Sequence, residues 1–194
     1  MEYSMSTLKT NTIQAATGTT VSIANGTTFA PTGHVIQTVQ TSMGDRLAIA
    51  TGGNFTKITG FEAAITPSST SSKILVQPNV NISGPAGPNY TCGIRLYVNN
   101  AHLSDASAND ALYGSNDLGC FMEVGAQNWS NFTRYQVTSQ YLHSPNSTSQ
   151  QTYSLYVADG RDNGTIYVNR QHYQTNQDYM YSTKSYFTLM EIAG

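Results

Sequence analysis

Charge is scarce in this chain. Asp, Glu, Lys and Arg make up 10% of its 194 residues, against about 25% in an ordinary globular domain. The nine Lys and Arg and eleven Asp and Glu are scattered and sum to −2. No basic patch stands ready to neutralise phosphates, so neither DNA nor RNA is an expected partner. Long apolar runs are missing too. Nothing approaches the roughly 18 consecutive apolar residues that a membrane-spanning helix needs. The opening MEYSMSTLKT has no charged-then-apolar signal pattern, so the protein is expected to be made in a cytoplasm and not exported by the signal-peptide route.

Cysteine is nearly absent. Cys92 and Cys120 are the only two, so one bridge could form only if the fold brings them close. Each sits in a strand-like run, and both are expected to be buried thiols acting as small hydrophobes. Histidine occurs four times, at His34, His102, His143 and His172. None falls in HExxH or beside a second ligand at metal spacing, so no metal is expected. There is no G-x-S-x-G elbow and no phosphate-cradling GxxxxGK[ST]. Asp110, Asp117, Asp159, Asp162 and Asp178 fall in predicted loops, but nothing pairs two of them across a cleft as a glycosidase requires. DGRDNG lacks the spacing and distal Glu of a calcium loop. The expectation is a protein without catalytic residues or cofactors.

Uncharged polar residues fill the space. The 20 Ser, 25 Thr, 16 Asn and 12 Gln account for 73 positions. Thr, Val, Ile and Tyr suit a pleated, half-buried surface, whereas helix formers are few. The composition predicts an all-β fold. Eight N-x-[ST] triplets occur, beginning at Asn25, Asn54, Asn81, Asn89, Asn128, Asn131, Asn146 and Asn163. Without a signal peptide, glycosylation is not expected.

Residues 1–33 differ from the rest. Apolar pulses at Leu8, Ile13, Val21, Ile23 and Phe29 alternate with Gly- and Thr-rich steps. A ribbon of this kind cannot bury its apolar face alone, so it reads as an extended docking or trimerisation segment, with APTG (30–33) as a joint. From His34 onward, strand signals recur at the spacing of a sandwich. They are 34–41, Leu47–Ala50, 58–66, 73–82, 91–98, LGCFMEV, NFTRYQVTSQYL, QTYSLYVA, GTIYVNR and KSYFTLMEI. Ile74, Val76, Val80 and Ile82 share one face, as do Cys92, Ile94, Leu96 and Val98. Pro78 on the first of these faces points to an edge or a bulge. Between QTYSLYVA and GTIYVNR, the Asp-Gly and Asn-Gly of DGRDNG predict a hairpin, and 34–41 with 58–66 predicts another. DASANDALYG has room for one helical turn. Two packed sheets of eight to ten antiparallel strands, a jelly roll over residues 34–194, fit best. Strand direction places loops 84–90, 125–130 and 159–163 at one end. Loops 99–117, 142–149 and 171–183 go to the other.

Aromatics punctuate the predicted loops: Tyr90, Tyr113, Trp129, Tyr173, Tyr179 and Tyr181. Beside Asn, Gln and Asp they form a surface suited to sugars, or to packing between subunits. The chain closes on SYFTLMEIAG, its most strand-like stretch. Ends fray unless tied down, so this strand is expected to be paired on both sides. Tyr186, Thr188, Met190 and Ile192 lie on one face, with Phe187 and Leu189 on the other. Glu191 needs a partner, and Arg170 or Lys184 is the expected one.

The C-terminal half carries a more specific signal. YLHSPNSTSQQTYSLYVADGRDNGTIYVNR followed by SYFTLMEI resembles the tail-fibre-like virion proteins of cyanophages and other aquatic bacteriophages. The residues that carry the likeness are Tyr141–Leu142, Ser144–Pro145–Asn146, Thr148–Ser149, Thr152–Tyr153, Gly164–Thr165, Tyr167, Asn169–Arg170 and Thr188–Ile192. SSKILV (71–76) and RLYV (95–98) match earlier landmarks, and the N-terminal lead-in is similar as well. His143 replaces the usual Asp. The resemblance implies a tumour-necrosis-factor-like jelly roll, a homotrimer and a place on the virion beside other tail or capsid proteins. It brings no catalytic residues. Three functions then compete: a short tail fibre or spike that attaches to host-surface glycan, a capsid decoration, cement protein or head fibre, and a polysaccharide depolymerase. The depolymerase lacks the long β-helix and paired acids such enzymes use. The short lead-in favours the decoration. The low charge and abundant Ser, Thr, Asn and Tyr favour attachment. If the chain enters opposite loops 84–90, 125–130 and 159–163, the expected receptor contacts are Tyr90, Asn128, Trp129, Arg161 and Asp162.

Overall fold

The computed structural model describes residues 31–84, 87–107, 119–129, 133–160, 164–172 and 181–194, with 87–90 and 126–129 through their backbone alone. Leu8, Ile13, Val21, Ile23 and Phe29 of the predicted docking segment lie outside these residues. The strands are β1 (Val35–Met43), β2 (Leu47–Ala50), β3 (Thr56–Ile65), β4 (Lys73–Ser83), β5 (Gly87–Val98), β6 (Ala101–His102), β7 (Met122–Trp129), β8 (Tyr135–Thr138), β9 (Tyr141–His143), β10 (Gln151–Asp159), β11 (Thr165–Val168) and β12 (Ser185–Ile192). One 3-10 turn, Ser104–Ala106, is the only helical element among the described residues.

The strands form two antiparallel sheets packed as a sandwich. Sheet A runs β1-β12-β4-β11-β2, with β8 and β9 also on β4; sheet B runs β3-β10-β5-β6, with β7 also on β5. The register shows that the short segments are pieces of longer lines. β1 and β2 lie end to end along β12 and β11. β12 and β11 lie end to end along one side of β4, and β9 and β8 along its other side. β6 and β7 do the same along β5. Sheet A is thus four lines in the order β1/β2, β12/β11, β4, β9/β8. Sheet B is four lines in the order β3, β10, β5, β6/β7.

Alternation builds the core. Ile74, Val76, Val80 and Ile82 of β4 face Cys92, Ile94 and Leu96 of β5 and Tyr153, Leu155 and Val157 of β10, all fully buried. Across the interface, the rings of Phe61 and Phe187 lie 5.5 Å apart. Each large apolar side chain buried here contributes about 1.5–3 kcal/mol. β3 keeps its apolar residues inward only by a bulge. Ile58 and Phe61 are both buried although three residues apart. The register against β10 shifts between them, and Gly60 sits there at φ +80°, a conformation glycine adopts without strain. Side chains close the rim where the sheets meet. Thr41 Oγ1 donates to Glu62 O (2.8 Å) and Gln37 Nε2 to Thr66 O (2.8 Å), which joins edge β1 to edge β3.

Several expectations change. DGRDNG is not a hairpin: β10 belongs to sheet B and β11 to sheet A, so the segment crosses between sheets, and 161–163 lie outside the described residues. A turn signal marks a reversal but does not choose the partner. Likewise β1 and β3 touch only at their rims and pair with β12 and β10. The tight hairpin is elsewhere, at Asn99 (φ 50°) and Asn100 (φ 64°) between β5 and β6, the paired positive φ of a two-residue loop. Pro78 is in the middle of a central strand. Its carbonyl accepts from Thr138 Oγ1 (3.1 Å), so its missing N–H faces the break between β8 and β9, where no ladder bond is needed.

The last strand is paired on both sides, by β1 and β4. Gly33 N–H donates to Ala193 O and Ala193 N–H to His34 O, both at 2.8 Å. The connections after β4, β7 and β10 share the opposite end of the sandwich from these contacts. Of the loop predicted over 171–183, residues 173–180 lie outside the described residues. The strands on either side of it end and begin in mid-sheet, β11 stopping beside Ile82 and β12 starting beside Asn79.

Candidate functional site

The predicted receptor contacts fall differently from expectation. Tyr90 is a β5 residue opposite Ala126, and Asn128 and Trp129 are β7 residues opposite Pro88 and Gly87. They belong to strands, not loops, because β5 and β7 pair to their ends and leave only 84–86 as the connection before β5. Arg161 and Asp162 lie outside the described residues, as do Tyr113, Tyr173 and Tyr179. Gly160 N–H donates to Thr91 O (3.1 Å), so the chain leaves toward 161–163 from beside the same stretch of β5. Tyr181 is exposed, and its carbonyl accepts from Arg134 Nη1 (2.6 Å).

The structure brings together a site that sequence reasoning did not assemble. On the outer face of sheet A, Gln40, Gln77, Asn79, Thr138, Tyr186 and Thr188 line an open depression of about 490 Å³. Thr188 stands opposite both Gln40 and Gln77, and Tyr186 stands opposite Asn79. Gln40 Nε2 donates to Thr188 Oγ1 (2.9 Å), Gln77 Nε2 to Gln140 Oε1 (3.1 Å) and Gln136 Nε2 to Asn79 Oδ1 (2.8 Å). Tyr186 is 41% exposed. No Asp, Glu, Lys, Arg or His lines the depression. Alternation along β12 already put Tyr186 and Thr188 on one face. The other four residues come from three other strands and carry no signal of their own.

Beneath this face sit buried polar anchors. Asn169, at φ 59°, donates through Nδ2 to Met43 O (2.9 Å) and Asp45 O (3.1 Å) and accepts from Ser185 Oγ (2.7 Å). Ser185 Oγ in turn accepts from Asn81 N–H (3.0 Å). This cluster clamps the point where 169–184 departs and returns. Glu191 is fully buried, and its partners are Gln37 and Ser68 rather than Arg170 or Lys184. Arg170 instead donates to the carbonyls of Gln171 and His172. His143 Nδ1 and Tyr153 Oη are hydrogen-bonded at 2.8 Å between the sheets. Burial lowers the His143 pKa and Asp105 acts against this; burial raises that of Tyr153.

On the outer face of sheet B, Arg95 donates through Nε to Gly119 O (2.7 Å) and lies 4.0 Å over the Phe55 ring. Cys92 and Cys120 are both free thiols. Cys92 points into the core, whereas a β-carbon on Gly93 would lie 3.7 Å from that of Cys120. The two thiols therefore face opposite sides of β5. Burial pushes both pKa values up, so both stay protonated at neutral pH. No group of three potential metal ligands occurs among the described residues.

Neither a family model nor a curated protein matches the chain. Among solved structures it is similar to that of infectious bursal disease virus, Gx strain, at 10% identity and a TM-score of 0.38, covering 90% of this chain and 46% of that one. It is also similar to the infectious bursal disease virus VP2 subviral particle, at 9% identity and a TM-score of 0.34, covering 82% and 38%. The chain spans less than half the length of either.

Proposed function

We propose that this chain is a bacteriophage virion structural protein. In this reading it is a trimeric short fibre or spike that docks through residues 1–33 and displays the sandwich toward host-surface glycan. The reading rests on the sequence resemblance, which implies a jelly roll, and on the two-sheet sandwich found here. Of the landmark residues of that resemblance, Arg95, Tyr153, Asn169 and Glu191 are buried and hydrogen-bonded within the sandwich, whereas Leu142, Ser144, Asn146, Thr148 and Ser149 are exposed. Strand order supports the same reading. Numbering the eight lines along the chain, sheet A is 1-8-3-6 and sheet B is 2-7-4-5, the order produced when paired Greek keys roll up into a jelly roll. The reading assigns no catalytic step, cofactor, nucleic acid or membrane insertion.

Cryo-electron microscopy of the intact virion tests the proposal. A few trimers at the tail support attachment. Many copies at regular shell positions make the chain a decoration, cement protein or head fibre, the second reading. Absence from the particle overturns both.

A further inference from the structure

We propose that the depression on the outer face of sheet A binds a neutral oligosaccharide. The lining selects the ligand by what it would cost to leave its groups unmatched. A charged ligand would give up hydration with no counter-charge to meet it. A wholly apolar one would cover the amides of Gln40, Gln77 and Asn79 without bonding them. A sugar offers hydroxyls around its rim and C–H groups on its faces. The ring of the partly exposed Tyr186 takes an apolar face, and the surrounding amides and hydroxyls take the rim.

The lining is also held in place. The three hydrogen bonds that position Gln40, Gln77 and Asn79 use the Nε2 donors of the two glutamines and the Oδ1 acceptor of Asn79. The side-chain oxygens of Gln40 and Gln77 and the nitrogen of Asn79 have no hydrogen-bond partner among the described residues. They are acceptors and a donor that a hydroxyl can match. Strand spacing sets them on a grid with steps of about 4.8 Å across and about 6.7 Å along the sheet, comparable with the spread of hydroxyls over one or two sugar rings. The volume of about 490 Å³ accommodates a ligand of that size.

This inference rests on the reading above in making glycan the ligand of a displayed sandwich, and the experiment separates the two. Saturation-transfer NMR on the full chain would use neutral gluco-, galacto- and N-acetylglucosamine oligomers, with sialylated and sulfated oligomers for comparison. Sedimentation and thermal melting would run in parallel. The expected result is binding of a neutral oligomer in the millimolar range. Tyr186→Ala and Gln77→Ala should each weaken it about tenfold or more, with Tyr186→Phe retaining most of it. Lys57→Ala on sheet B should change nothing. Failure of every neutral oligomer to bind overturns the inference, as does preference for anionic ones or binding indifferent to both alanine variants. Loss of self-association in a folded Tyr186→Ala protein that never binds sugar also overturns it, and makes this face an interface between copies. Sugar binding by a protein absent from virions overturns the functional reading alone.

Discussion

Glu191 shows how far a single residue can depart from what its neighbours in sequence suggest. Burial pushes its carboxyl pKa up, but hydrogen bonds from Ser68 Oγ (2.6 Å), Gln37 Nε2 (2.6 Å) and Ser68 N–H (2.7 Å) outweigh this and leave it below the usual range. With the folded value below the unfolded one, the ionised form stabilises the fold. That contribution is complete above the unfolded carboxylate value of about 4.3 and is lost as pH falls through the folded value. Urea titrations across this range should show the wild-type midpoint falling with acid. Glu191→Gln should flatten part of that slope and cost about 1–3 kcal/mol at pH 7. Parallel curves for the two proteins would assign the slope to another group. The need for a partner was legible in a lone acid on a buried strand. Its identity was not, because Gln37 and Ser68 lie 154 and 123 residues away and are as ordinary as any other polar residue in the chain.

Strands were the most legible elements, since a period of two needs only local sequence. The junction between β11 and β12 was not. Two strands that look separate lie in one line along β4, and Asn169 holds their facing ends. Replacing it by Ala leaves the carbonyls of Met43 and Asp45 without their donor and keeps a β-carbon at φ 59° without the polar side chain that makes Asn tolerant of that region. Asn169→Ala is therefore expected to cost about 2–4 kcal/mol. Asn169→Gly loses the same bonds but not the backbone comfort, and should be less damaging by about 1 kcal/mol. Equilibrium unfolding of both variants checks the order. If they are equally destabilised, the left-handed backbone is not part of the cost. Pro78 teaches the same lesson from the other side. Local rules sent it to an edge or a bulge, but a break in the neighbouring strand made a central position tolerable.

For the molecule as a whole, stability depends on contact between the two sheets. Phe61 and Phe187 meet across that contact and are both fully buried. Phe187→Ala should cost about 3–5 kcal/mol and lower the cooperative unfolding midpoint. Because the rings share one space, the double variant with Phe61→Ala should cost less than the two singles added together. Strict additivity in denaturant unfolding would mean that each ring is held by its own surroundings. The charge-poor composition is visible at this scale as well. It leaves a sheet face with a lining of amides, hydroxyls and one aromatic ring, the feature on which the saccharide proposal stands.

By itself the sequence determined the alternation that makes strands, the inward faces of β4, β5 and β12, the all-β class and the scarcity of charge. Each follows from residue type and spacing within a few positions. Only the tertiary structure decided which strands pair, that DGRDNG crosses between sheets, that Tyr90, Asn128 and Trp129 lie in strands, and that six residues from four strands share one depression. Pairing in a sandwich is chosen by contacts between residues far apart in the chain, and a pattern of period two is the same whichever partner lies alongside it.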